Sequence, residues 1–581
     1  MSQPVLQYDQ LRVTYANGAQ AVRGVSFTLH AGQCLALVGE SGCGKTTMAR
    51  AALGLLPPGA AVSGSIRLGA HEIVGATPET IRSLRGLVAG FVAQNPFEAC
   101  HPLDRVEQHG AEAWRAHGQT PPRGAVGAAL TNLGIARAPQ QMRRYPHQWS
   151  GGMLQRATIA AAAAHQPMVI IADEPTSALD ADRADATLEA LRATGAAVLL
   201  VSHDIAVVSR HADLVAVCYA GRIVEIGARA DVLGRPRHPY TRGLLAATPR
   251  PTQGLPLPLA GTPPALTEQL DGCAFAARCV FAQPECRHHD PPLRDGVACP
   301  VLNPVGAVSA ALPAAPRTVP TPQIEGKRQL STSAPIVVEA RGVAQRYGRG
   351  ARAVDAVRAA SLTVRRGEIV GIAGPSGCGK STLLRLLATI ETPSAGAVFL
   401  NGEQATAGGS PRLLSRLARS GFVMPIFQDP LGSLDRRWPI WRSVSEPLTA
   451  PHRGKQLDAA QHRATAATRL AEVGLGHLDP DARPGELSIG QCQRVAIARA
   501  LAATPGLIIA DEPTSALDAS VAAAILRLLA TTAQRGTAIV IVSHDRPLLD
   551  VLCDQVLTMR DGVLDAEPSQ YVAGGAHGHA S

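Results

Sequence analysis

Lysine is nearly missing from this chain. Lys45, Lys327, Lys380 and Lys455 stand against 51 arginines. Aromatic residues make up only 3%, and no dense basic run is interleaved with rings, so a nucleic-acid partner is not expected. No apolar window approaches the ~20 clean residues of a membrane span. The most apolar stretch, Ala157 to Ala172, is mostly alanine and is broken by His165, Gln166 and Pro167. Met1 to Gln20 carries no apolar core of a secretory signal. These absences predict a soluble or peripheral protein on the cytoplasmic side of a membrane.

The chain has 581 residues, 46% apolar and 17% charged, with a net charge of +9. That is enough chain for several domains with their own cores, and the balance suits globular α/β structure rather than disorder. A mild basic excess suits an anionic membrane face. Eleven cysteines in a cytosolic setting read as thiols or metal ligands rather than disulfides.

Two of the four lysines sit in matching glycine-rich loops. One is Gly39-Glu40-Ser41-Gly42-Cys43-Gly44-Lys45-Thr46-Thr47; the other is Gly374-Pro375-Ser376-Gly377-Cys378-Gly379-Lys380-Ser381-Thr382. Both fit G-x-x-x-x-G-K-[ST]. Glycines let successive N–H groups curl around phosphate oxygens, a following helix offers its positive N-terminus, and Lys reaches the β- and γ-phosphates. The hydroxyl of Thr46 or Ser381 is placed for Mg²⁺. Where arginine serves almost everywhere else, a compact ammonium has been kept at these two positions. Cys43 and Cys378 read as small residues filling a tight turn.

Other landmarks repeat at a similar offset. Gln94 recurs as Gln428, Ser150-Gly151-Gly152 as Ser488-Ile489-Gly490, Asp173-Glu174 as Asp511-Glu512, and His203 as His544; all offsets fall between 334 and 341 residues. Near-constant spacing means a duplicated domain. Each copy opens with a strand ending in an aromatic, Leu11 to Tyr15 and Val343 to Tyr347. Apolar strands over Cys34 to Val38 and Ile369 to Ala373 run into the loops, the strand–loop–helix context of a phosphate site. Met168 to Ala172 and Leu507 to Ala510 are apolar without alternation, as strands of a parallel sheet buried on both faces should be. Both end at Asp-Glu-Pro, at the carboxyl edge where open α/β sheets bind ligands. Ala197 to Val201 and Ile539 to Val542 deliver Ser202-His203 and Ser543-His544 in the same way.

Between the copies, about Arg250 to Pro300 is proline-rich and holds Cys273, Cys279, Cys286 and Cys299. From 303 to 335 the chain is Ala/Pro/Ser/Thr and reads as a flexible linker. The Gly/Ala/His tail, 571–581, reads as frayed.

This order of landmarks resembles the nucleotide-binding domain of ATP-binding cassette (ABC) transporters, over nearly the whole chain outside the linker. The signatures are Trp149-Ser150-Gly151-Gly152-Met153 and Leu487-Ser488-Ile489-Gly490-Gln491, against a family pattern of roughly Leu-Ser-Gly-Gly-Gln. The resemblance implies two α/β P-loop NTPase domains, 1–250 and 336–570. Each would have a RecA-like parallel sheet core, an antiparallel β subdomain and a helical subdomain. It implies ATP as ligand and ATPase activity. Asp173 and Asp511 would hold Mg²⁺ through water, and Glu174 and Glu512 would orient or deprotonate the attacking water. His203 and His544 would contact the γ-phosphate, Gln94 and Gln428 would reach Mg²⁺ and that water, and Tyr15 and Tyr347 would stack on adenine.

The resemblance also implies head-to-tail pairing, with Lys45 facing Ser488-Ile489-Gly490 and Gln491, and Lys380 facing Ser150-Gly151-Gly152. Ile489 departs from the usual glycine, and the expectation is a slower Lys45 site. His238-Pro239-Tyr240-Thr241-Arg242-Gly243 and Gly272-Cys273-Ala274-Phe275-Ala276-Ala277-Arg278-Cys279 look like the C-terminal region of oligopeptide, dipeptide and nickel importer ATPases, here 251–302. The four cysteines match positions that bind a 4Fe–4S cluster in some members; thiolates suit zinc equally, and no metal is the third alternative. The implied function is to energise import of peptides, or nickel or related small solutes. Two transmembrane permease subunits and a periplasmic or lipid-anchored solute-binding protein would be the partners, at the cytoplasmic face of the inner membrane. A ribosome-acting tandem ATPase and an exporter ATPase are the alternatives.

Overall fold

The computed structural model describes residues 3–176, 181–250, 254–299, 301, 333–348, 350, 353–407, 420–449 and 458–565. Of the expected linker only 333–335 is among them, and the tail 571–581 lies outside the described residues. The chain divides into two compact units, one built mainly of Met1–Thr248 and Leu257–Thr321, the other mainly of Pro322–Leu517 and Val521–Ser581.

The first unit contains β1 (Pro4–Thr14), β2 (Gln20–His30), β3 (Cys34–Val38), β4 (Ala61–Leu68), β5 (His71–Glu72), β6 (Ala89–Val92), β7 (Val169–Asp173), β8 (Ala197–Val201), β9 (Leu214–Tyr219) and β10 (Arg222–Ala228). They form two sheets, β2-β1-β4-β5 and β10-β9-β3-β8-β7-β6. The first is antiparallel; Tyr8 pairs with Phe27 across it, and their rings stack with centroids 4.3 Å apart. The second is parallel from β9 to β6, with β10 antiparallel at its edge.

β3, β7 and β8 are buried at every position, which is why they read as unbroken apolar runs. Each such Val, Leu or Ile contributes about 1.5–3 kcal/mol over its exposed state. A separate helical lobe packs Cys100, Val106, Trp114, Leu130, Ile135, Trp149 and Leu154 into its own small core.

The second unit repeats the plan. Its strands are β11 (Ile336–Tyr347), β12 (Val354–Arg365), β13 (Ile369–Ala373), β14 (Ala395–Leu400), β15 (Glu403–Ala407), β16 (Val423–Ile426), β17 (Leu507–Asp511), β18 (Ala538–Val542), β19 (Gln555–Arg560) and β20 (Val563–Asp565). The sheet orders are β12-β11-β14-β15 and β16-β17-β18-β13-β19-β20.

The cysteine-bearing extension has little regular structure beyond the 3₁₀ turns Ala276–Arg278 and Pro284–Arg287. Backbone hydrogen bonds stitch it to the first unit: Gln20 N to Leu266 O at 2.8 Å, Ile226 N to Gly296 O at 2.8 Å and Ala298 N to Val224 O at 2.9 Å.

Candidate nucleotide sites

Each phosphate loop is pressed against a neighbouring backbone. A Cβ at Gly39 would stand 2.1 Å from Cys218 O, and one at Gly44 2.2 Å from Ala21 O. Gly374 and Gly379 meet Met559 O and Ala356 O at 2.2 and 2.0 Å. Gly44 and Gly379 also have φ of 97° and 107°, conformations that side chains resist. Ser41 and Gly42 stay exposed at the loop tip, whereas Cys43 is buried. Lys45 Nζ donates to Gly39 O and Glu40 O at 2.8 and 3.0 Å. Lys380 Nζ does the same with Gly374 O and Pro375 O at 2.7 and 2.8 Å. Burial opposes the Lys45 ammonium, but Cys43 and Glu174 beside it outweigh that cost and hold its pKa above the ordinary range.

The acidic pairs lie at the carboxyl ends of β7 and β17. Thr46 Oγ1 donates to Asp173 Oδ1 at 3.0 Å, and Ser381 bonds Asp511 likewise. Burial pushes both aspartates up against those hydrogen bonds. A hydroxyl beside a carboxylate is the donor set that hard divalent cations take.

The next residue is the one whose geometry the sequence does not announce. Glu174 and Glu512 have φ of 48° and 47°, a left-handed conformation costing a non-glycine residue roughly 1–2 kcal/mol. Their N–H groups still donate to Val201 O and Val542 O, both at 3.0 Å, so the ladder continues while the side chain swings aside. That swing brings Glu174 Oε1 to 3.2 Å from His203 Nδ1 and Glu512 Oε1 to 3.2 Å from His544 Nδ1. Gln94 Nε2 donates to the other Glu174 oxygen at 2.7 Å. Gln428 is exposed just beyond β16. Burial opposes the charged forms of both Glu174 and His203, but their pairing wins, leaving Glu174 below and His203 above its ordinary pKa.

The signature serines are helix caps. Ser150 accepts from Met153 N at 3.3 Å and opens Gly151–Ala162; Ser488 accepts from Gln491 N at 3.2 Å and opens Ile489–Ala502. In the second helix Gln491 Oε1 returns the bond by accepting from Ser488 N at 2.8 Å, a full capping box. Ile489 is 56% exposed, while a Cβ at Gly490 would lie 3.0 Å from Ala516 O. The retained glycine is thus the one pressed against backbone. Tyr15 shares a 2.8 Å hydrogen bond with Thr47 Oγ1; Tyr347 ends β11 half-exposed, its hydroxyl bonded to Glu391.

Cys273, Cys279, Cys286 and Cys299 line one cavity with His238, Phe275, Phe281 and Val301. None of the four is in a disulfide. Burial, then the other thiols of the set, pushes Cys273 up to about 12 and Cys279 up to about 11. Among the described residues, the one group of His, Cys, Asp or Glu with ligand atoms within 4.8 Å of one another is Asp104, His109 and Glu112. No three of the four sulfurs therefore lie within 4.8 Å of one another.

The His-Pro-Tyr segment, a family marker in sequence, has a mechanical role here. His238 caps the helix Pro239–Ala246, and Tyr240 Oη accepts from Glu40 N at 2.9 Å.

A glycine loop, its lysine, a hydroxyl–carboxylate pair and a Glu–His pair at one sheet edge define a P-loop ATPase, twice over. Comparison with known proteins narrows this. The family model described as "ABC transporter" matches residues 22–177 and 357–515, and the chain belongs to that family. A second model, "Oligopeptide/dipeptide transporter, C-terminal region", matches 224–286.

The oligopeptide transport ATP-binding protein OppD of Mycobacterium tuberculosis is 38% identical, over 98% of this chain and 96% of that one. The glutathione import ATP-binding protein GsiA of Escherichia coli is 33% identical, over 96% and 84% respectively. A solved structure titled "RNase-L Inhibitor" superposes with a TM-score of 0.56 at 20% identity, covering 96% of this chain and 90% of that one; at that identity the likeness is one of fold alone. No helix among the described residues is long and apolar enough to cross a membrane.

Proposed function

We propose that this chain is the ATPase subunit that energises peptide import through separate permease subunits at the cytoplasmic face of the membrane. The observation that carries the reading is the peptide-importer-type region, matched over 224–286, built onto an ATP half-site, with its Tyr240 bonded to the loop residue Glu40. Relatives named for oligopeptides and glutathione support peptides as cargo; nickel finds no support there.

In each cassette Lys45 or Lys380 neutralises phosphate charge, and Glu174 or Glu512 accepts a proton from the attacking water. His203 or His544 fixes that carboxylate and donates toward the γ-phosphate. Thr46 with Asp173, and Ser381 with Asp511, would hold Mg²⁺, which supplies charge neutralisation between phosphates. Tyr15 and Tyr347 serve as adenine platforms. The rest of catalysis is positioning of an in-line transfer. By family resemblance, the phosphate loop of each cassette is completed by the other's signature helix, Lys45 by Ser488 and Gly490, Lys380 by Ser150 and Gly152.

Permease contact falls to the segment after Gln94, where Phe97 and Leu103 are exposed at 47% and 77%, with the segment after Gln428 as its counterpart. The cysteine cavity suits a 4Fe–4S cluster better than one zinc ion, because a cubane spreads its four thiolates further apart. Cys273, Cys279, Cys286 and Cys299 would be its ligands.

Reconstitution with the permease and the solute-binding protein tests this. Peptide-loaded binding protein should raise ATP turnover. Turnover indifferent to it, in a complex that has assembled, would sink the import reading.

A further inference from the structure

The two phosphate loops differ at their second residue. Pro375 is exposed, whereas Glu40, its counterpart, is 3% exposed. Arg278 holds its carboxylate from two sides, Nη1 to Oε2 at 2.7 Å and Nη2 to Oε1 at 3.0 Å. Both side chains are 4% exposed. A bidentate fork of this kind is the strong form of the interaction and fixes geometry as well as charge.

Arg278 is itself immobilised. Its Nε donates to Ala260 O at 2.8 Å, Nη1 reaches Tyr219 Oη at 3.3 Å, and the guanidinium lies 5.7 and 5.8 Å from the Tyr219 and Phe275 ring centres. Meanwhile Glu40 N donates to Tyr240 Oη. One phosphate-loop residue is thus gripped by backbone and by side chain, from two places outside the loop.

Arg278 belongs to the cysteine fold. It directly precedes Cys279, and Phe275 lines the cysteine cavity. Gly272 lets the two cysteine-bearing turns cross: a Cβ there would stand 2.5 Å from Cys286 O and from the Arg287 carbonyl carbon.

We propose that Arg278 is a positioning residue for nucleotide binding at the Lys45 loop, acting through Glu40. The extension is then a support for one ATP site of the two; the Lys380 loop, with Pro375 in place of Glu40, works without it. The proposal rests on both loops binding ATP, and the second loop reports on that premise independently.

The experiment is photolabelling of the full chain with azido-ATP, with labelled peptides mapped to the first or the second cassette. Arg278→Ala should weaken labelling of the first cassette by about 5- to 150-fold, the range of ordinary site coupling, and leave the second cassette unchanged. Arg278→Lys keeps the charge but loses the fork, and Glu40→Gln keeps the shape but loses the charge; each should show a smaller, first-cassette loss. Glu40→Ala with Arg278→Ala should lose no more than Arg278→Ala alone, since the pair acts as one unit.

If Arg278→Ala fails to fold, the Lys and Gln variants decide. First-cassette labelling unchanged in folded Arg278→Lys and Glu40→Gln, or reduced equally in both cassettes, overturns the proposal. Labelling absent from both cassettes of the unaltered chain would instead overturn the ATP-binding premise.

Discussion

Glu174 Oε1 lies 3.2 Å from His203 Nδ1, and Glu512 repeats that distance to His544. In both cassettes the approach depends on a left-handed backbone at the glutamate. Strain kept twice, at equivalent positions, marks a residue whose direction matters.

The pair predicts a pH window. His203 is raised from its ordinary 6.5, so its pairing stabilises the fold fully below 6.5 and the gain is lost as pH climbs through the higher folded value. Glu174 is lowered from its ordinary 4.5, so its contribution is present above 4.5 and lost as pH falls through the lower folded value. Both act together between about pH 4.5 and 6.5. Hydrogen exchange over β7 should show wild type better protected than Glu174→Gln in that interval, with the advantage shrinking at higher pH. An advantage that grows from pH 6.5 to 9 would contradict the assigned pairing.

A second prediction separates two glycines of one loop. Gly42 has φ 79° but open space around a would-be Cβ, whereas Gly44 combines φ 97° with a 2.2 Å clash on Ala21 O. Gly42→Ala should cost only the conformational strain, roughly 1–2 kcal/mol, and keep nucleotide binding within about tenfold. Gly44→Ala must move backbone and should abolish binding at the Lys45 loop. Equal affinities in the two variants, read by fluorescent-nucleotide titration, would mean that the loop is not held against β2 as described.

Much of this architecture was legible. β3, β7, β8, β13, β17 and β18 are apolar on both faces because helices and sheet cover both, and their edges deliver Asp173, His203 and their counterparts. The end of β1 was placed within a residue: Tyr15 follows Thr14. What stayed hidden has physical reasons. The turn at Glu174 has no glycine to announce it, and the carboxylate's direction comes from backbone strain rather than composition. Glu40 and Arg278 are 238 residues apart, and no periodicity links a phosphate loop to a proline-rich segment. The extension 251–302, read as a segment in its own right, contributes Leu257 onward to the same compact unit as the first cassette.

Thr46 and Asp173 carry the third prediction. Burial already pushes Asp173 up, and the 3.0 Å bond from Thr46 is the first interaction that opposes it. Thr46→Ala removes both a cation ligand and that opposition, so the carboxylate should titrate higher. Mg²⁺ should then add little to ATP affinity at the first cassette, while ATP without Mg²⁺ binds within about threefold of wild type. Titration of nucleotide with and without Mg²⁺ checks this; an undiminished Mg²⁺ increment would remove Thr46 from the cation site.

Ile489 supplies the last. It opens its helix with 56% of its surface exposed, and Gly490 behind it makes the close approach to Ala516 O. Its bulk therefore leaves the cap formed by Ser488 and Gln491 undisturbed. In the head-to-tail arrangement proposed above it would stand over nucleotide held by Lys45, where backbone amides should come close to phosphate, and would slow that site. Glu512→Gln, which silences the site without the isoleucine, should then remove more of the total ATP turnover than Glu174→Gln. Ile489→Gly should raise turnover a few-fold, at a stability cost of up to about 1 kcal/mol from glycine in a helix. Equal losses in the two glutamate variants, together with no gain from Ile489→Gly, would show that the two sites turn over alike.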